Sequence, residues 1–107
     1  MSMTKRVLLL GRRGVVVEDV QQQLRMPDVQ LFGATGLDAV RSAFAQADID
    51  HVIMGAGLGL ETRLEIVREV FLTSDKTTVH MKDFASGSDG FLPFVRSVLT
   101  GLADYEV

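Results

Sequence analysis

The chain predicts an α/β fold: a four-stranded parallel sheet in the order 2-1-3-4, with helices covering both faces. Three observations carry this. Short apolar runs break into glycine turns at Val7–Gly14, Val29–Gly36 and Ile49–Glu61, and again with less glycine at Val79–Gly90. Each turn leads into apolar residues at helical spacing, and strand, glycine turn and helix in succession make the βα junction of a parallel sheet. The runs also differ in polarity. Val7–Leu10 and Val52–Met54 are apolar at every residue, as strands covered on both faces must be, whereas Val29–Phe32 carries Gln30 and Thr77–Met81 carries Thr77, Thr78 and His80. The first and third strands are therefore central and the second and fourth are edges. Right-handed crossovers then fix the order.

The elements follow in sequence. After the first strand, Gly11-Arg12-Arg13-Gly14 turns the chain, and Val17, Val20 and Leu24 form one helical stripe, with Glu18, Asp19 and Gln21 to Gln23 on the wet face. Pro27 ends that helix, because the residue before proline is pushed out of helical geometry. Thr35 is a candidate N-cap for a second helix over Leu37–Ala47, whose stripe is Leu37, Val40, Phe44 and Ala47. A third helix from about Leu60 to Leu72 has Leu60, Leu64, Val67 and Phe71 facing in, supported by Ile66 and Val70, with Glu61 at the positive end of its dipole. Thr73–Lys76 is a polar turn and Phe84–Gly90 a Ser/Gly loop in which Ser88 or Asp89 can cap the last helix. That helix runs from Phe91 to about Tyr105, tolerates Pro93 in its first turn, and buries Phe91, Phe94 or Val95, Val98, Leu99 and Leu102.

With 107 residues, the expected organisation is one domain over 1–107. The absence of cysteine removes disulfides, thiol catalysis and cysteine-based metal sites. A net charge of −3 argues against general nucleic-acid binding, which needs a basic surface. No apolar run approaches the roughly 20 residues that cross a bilayer. The basic start Met1–Arg6 runs into an apolar segment that stops at Leu10 and lacks a small-residue cleavage site, so it reads as a strand and the expected location is cytoplasmic.

In an open α/β sheet, ligands bind beyond the carboxyl ends of the strands where the strand order reverses, here between strands one and three. Seven of the ten glycines fall in the first three βα turns. Glycine lets backbone N–H groups approach an anion, and a following helix N-terminus favours negative charge. The candidate binding residues are therefore Gly11, Arg12, Arg13, Gly14, Gly55, Ala56 and Gly57, the arginines offering charge-assisted bonds to a phosphate. Tight βα turns need glycine whatever binds there, and structural turn formation is the stronger reading of the pattern. The only histidines are His51 and His80. A three-residue offset between neighbouring strands separates them by roughly 10 Å, too far to share a metal. No catalytic residue and no metal site is assigned, although His80 and Asp83 are conceivable as an acid–base pair at the rim. Glu61, Glu65 and Glu69 form a solvated helix face, with Arg68 placed to pair with Glu65.

On these residues two resemblances stand. The stretch Val7 to Glu61 resembles a shortened NAD(P)-binding Rossmann unit of the short-chain dehydrogenase type, with VLLLGRRG in place of the phosphate loop and DHVIMGAG in place of a later strand. The resemblance implies a Rossmann/flavodoxin-like, three-layer fold and a nucleotide at the glycine turns. The turn is Gly11-x-x-Gly14 instead of G-x-G-x-x-G, no acid follows strand two at Phe32-Gly33-Ala34-Thr35, and the only tyrosine, Tyr105, is not part of a Tyr-x-x-x-Lys pair. The chain is also similar to response-regulator receiver domains in size and strand order. Gly11 and Arg12 stand where that family has acids, and Met54 and Gly55 stand where it has its phosphoacceptor aspartate.

The functional expectation is a small non-catalytic interaction or regulatory module that forms a homodimer, with large apolar groups of the fourth helix at the contact. The alternative is a protein that binds a nucleotide or another phosphate-bearing small molecule at the glycine turns. The cofactor is unknown, and neither nucleic acid nor membrane is an expected partner.

Overall fold

The computed structural model describes residues 4–11, 17–83 and 90–103. The elements alternate as predicted: β1 (Lys5–Leu10), α1 (Val17–Leu24), β2 (Val29–Ala34), α2 (Leu37–Gln46), β3 (His51–Met54), α3 (Leu60–Thr73), β4 (Thr78–Met81) and α4 (Phe91–Ala103). All pairings are parallel and the sheet order is β2-β1-β3-β4, a Rossmann/flavodoxin-like arrangement.

Because β1 pairs on both sides and is covered on both faces, Val7, Leu8, Leu9 and Leu10 are wholly buried. Its alternation divides the core. Leu8 and Leu10 join Val52, Met54, Val40, Ala43, Ile66 and Val70 on the face covered by α2 and α3. Val7 and Leu9 join Leu31, Ile53, Leu24, Val95 and Leu99 on the face covered by α1 and α4. The expected stripes of α1 and α2 pack as drawn, with Ala43 added to the second. In α4 the choice between Phe94 and Val95 falls to Val95 as the fully buried residue, with Phe91, Phe94 and Val98 packed around it.

Four details depart from the sequence reading. In α3 the buried residues are Ile66 and Val70, while Leu60, Leu64 and Phe71 are more than half exposed. Apolar residues occupy over half the circumference of this helix, so spacing alone does not orient it. In the observed rotation Glu69 pairs with Arg41 of α2, and Arg63 reaches the carbonyl of Lys82 beyond β4. The N-cap of α2 is Gly36, not Thr35, and no side chain caps that end. Gly33 belongs to β2, paired with Leu9, instead of to the turn. Finally, β4 begins at Thr78; Thr77 is buried before it, its hydroxyl donating to the carbonyl of Ile49 at 2.6 Å. Ser88 and Asp89, the candidate caps of α4, lie outside the described residues.

Candidate functional site

Three neighbouring carboxyl ends form the rim where the strand order reverses. The ladder continues past each strand: Gly11 N–H donates to Ala34 O (3.3 Å), Gly55 N–H to Leu10 O (2.8 Å) and Lys82 N–H to Met54 O (2.9 Å). The amides of Gly11 and Gly55 are thus committed to the sheet, leaving Ala56 and Gly57 as the predicted positions beyond its last rung. Gly55 is buried, and a β-carbon on it would lie 3.3 Å from Cδ1 of Phe91. Glycine there admits the Phe91 ring at the start of α4, and that ring occupies the space beside the turn. Ala56 is half-buried and Gly57 is exposed. Arg12, Arg13 and Gly14 lie outside the described residues.

Two cations not assigned to binding from the sequence stand at this rim. Lys82 is 3% exposed, and its Nζ donates to the carbonyl of Asp83 at 3.1 Å. Arg63, one turn into α3, donates from Nη1 to the carbonyl of Lys82 at 3.3 Å, and its buried Nε has no partner. Lys82 is visible in the sequence as an ionisable residue at a strand end. Arg63 is not, because it sits on an apolar helix face and only the rotation of α3 brings it to the strand end.

The histidines are closer than the sequence reading placed them. His51 pairs with Thr78 and Ile53 with His80, so the offset is two residues, not three. An even offset puts both rings on the same face of the sheet, the one shared with Ile53. Their centroids are 6.4 Å apart. Thr78 links them: its Oγ1 lies 2.7 Å from His51 Nδ1 and 2.9 Å from His80 Nε2. Burial pushes both imidazoles below their ordinary pKa; for His51, Lys5 and His80 act the same way and Asp50 opposes. The ring of His80 is thereby engaged with Thr78, while Asp83 is an exposed residue past the strand end.

No family model, curated protein or solved structure matches this chain. Its function therefore has to be argued from its own surfaces.

Among the described residues, the exposed large apolar side chains gather on one flank: Leu60, Leu64, Phe71 and Leu72 on α3 and Met81 at the end of β4. At about 100° per residue, Leu60, Leu64 and Phe71 lie within about 40° of one another around the helix axis. Glu69 faces α2, so this stripe points away from α2 and toward the β4 edge. Among the described residues, the strand β4 is hydrogen-bonded to β3 alone. On α4, Val95 and Leu99 are buried in the core beside α1, and Phe91, Leu92, Phe94 and Val98 pack against that core partly buried. Among the described residues, no group of three or more His, Asp or Glu is placed to hold a metal, and no helix is long and apolar enough to cross a membrane.

Proposed function

We propose that this protein is a cytoplasmic, non-catalytic interaction module that assembles with a second copy of itself along β4 and α3. The observation that carries the reading is the coincidence of an unpaired strand edge with the stripe of Leu60, Leu64 and Phe71. Exposed apolar residues gathered on one flank mark interaction surfaces, and an open edge strand offers unpaired backbone groups to another chain.

A second copy fits this flank by symmetry. A crossover helix lies over the two strands it joins, so α3 covers β3 and β4. Pairing two β4 strands about a two-fold axis sets the α3 helices roughly 10 Å apart, two strand spacings, which is near a packed interhelical distance. The centre of α3 falls between Ile66 and Val67. An antiparallel copy laid on that centre sets the stripe of Leu60, Leu64 and Phe71 against the same stripe of the other chain, the self-complementary pattern of a two-fold interface.

Sedimentation velocity at increasing protein concentration is the test. A dimer is expected, and Leu64→Glu combined with Phe71→Glu should yield a folded monomer whose melting temperature no longer depends on protein concentration, since both side chains are exposed in the single chain. A monomer at all concentrations removes the reading.

A second reading is favoured by one observation, the buried Lys82 whose backbone carbonyl accepts from Arg63, a guanidinium with a buried, unsatisfied Nε. A buried cation calls for compensating negative charge, so we also propose a small phosphate-bearing anion at this rim. Bound at about 100 times its Kd, such a ligand stabilises the fold by about 2.7 kcal/mol, a shift of several degrees for a domain of this size. If inorganic phosphate and nucleotides leave the midpoint unmoved at high concentration, the rim does not bind them.

A further inference from the structure

We propose that His51 and His80 form a two-imidazole site for a divalent transition-metal ion on the α1/α4 face of the β3–β4 edge. The argument rests on convergence. His51 Nδ1 and His80 Nε2 both aim at one point, the position of Thr78 Oγ1, at 2.7 and 2.9 Å. Two aromatic nitrogens directed at a common point from adjacent strands form a chelating geometry, held by the ladder that pairs His51 with Thr78 and Ile53 with His80.

The hydroxyl now at that point is displaceable. A threonine side chain has alternative staggered χ1 wells, and turning its Oγ1 away leaves the convergence point open. An imidazole binds zinc at about 2.0–2.1 Å, so each ring needs to advance by less than about 1 Å. The single hydroxyl proton also limits what Thr78 can do for two neutral imidazoles: it donates to one and must accept from the other. A metal ion accepts a lone pair from both.

The surroundings suit the exchange. Metal ligation requires neutral imidazole, and burial favours the neutral form of both rings. The carboxylate of Asp50 stands next to His51, held by the backbone N–H of Arg6 at 2.8 Å, and its charge favours a cation nearby. Both histidines are only partly buried, so water can complete the coordination sphere. Imidazole nitrogen suits zinc, nickel and copper(II), and a site with only two protein ligands follows the usual rise in affinity toward copper.

The test is titration of tag-free protein with Ni²⁺, Zn²⁺ and Cu²⁺ by calorimetry, together with the loss of NMR signals caused by Cu²⁺. The expected result is one ion per chain, with signals lost first at His51, Thr78 and His80. Removing one of two ligands should cost at least what a supporting residue costs, so His51→Ala and His80→Ala should each weaken binding about tenfold or more. Thr78→Val, which deletes the competing hydroxyl, should retain or tighten it. Circular dichroism establishes that each variant is folded; should His51→Ala unfold, His80→Ala, Thr78→Val and the NMR map still decide. No binding at millimolar metal, unchanged binding in His80→Ala, loss of binding in folded Thr78→Val, or signal loss centred elsewhere would each overturn the proposal.

Discussion

The hydroxyl of Thr78 and the two imidazoles it joins tie the pH response of the fold to single residues. Both histidines have pKa values below the ordinary 6.5 in the folded chain, mainly because burial disfavours the charged ring. The unfolded chain therefore binds protons first as pH falls through about 6.5. Stability is at its plateau above that value and is lost on acidification, down to the lowered folded pKa values, where the penalty is complete. Urea denaturation between neutral pH and mildly acidic pH should show this slope, and His80→Gln should flatten it. An unchanged slope would mean that neither ring is protected as the burial implies. A second residue-scale consequence concerns Gly55: a methyl group there meets the Phe91 ring at 3.3 Å, a tight contact that obliges the ring to give by a few tenths of an ångström, so packing alone favours glycine whether or not anything binds beside it.

Among the elements, β1 carries the fold. Leu9 has no exposure and touches the core shared by α1 and α4. Leu9→Ala should cost roughly 2–5 kcal/mol in a denaturant titration, as for other buried large-to-small changes; a cost near zero would contradict the central place of the strand. Such strands were legible because an uninterrupted apolar run admits only a position covered on both faces. Sheet order followed from the same logic. The orientation of α3 was not legible, since Leu60, Leu64, Val67 and Phe71 are as regular a stripe as Arg63, Ile66, Val67 and Val70. The observed rotation sets Glu69 against Arg41 of α2 and Arg63 against the carbonyl of Lys82, partners distant in sequence. The histidine pair was lost to one residue in the start of β4: with a side-chain period of two, an offset of three sends two rings to opposite faces and an offset of two brings them together. At the rim, Gly11 and Gly55 directly follow β1 and β3, yet the sequence does not reveal that their amides are spent on the ladder.

At the scale of the whole molecule, the uneven surface is the organising fact. One flank, made by α3 and β4, keeps its apolar residues outside, and the opposite edge at β2 exposes Gln30 and Gly33 instead. That asymmetry would make the proposed two-fold pairing along β4 specific, because among the described residues the β2 edge carries no comparable exposed apolar stripe. The sheet order has another consequence, in time. The strand synthesised first, β1, ends at Leu10, but its second partner, β3, is complete only at Met54, 44 residues later. At about 5–20 residues per second, Val7–Leu10 waits roughly 2–9 s on the ribosome with one edge and much of both faces uncovered. During those seconds the most apolar segment of the chain is available to chaperones or to other nascent chains. A fragment ending at Asp50 should reproduce that condition, giving an aggregation-prone chain without a cooperative unfolding transition, while a fragment that folds on its own would show that β1 and β2 need no third strand.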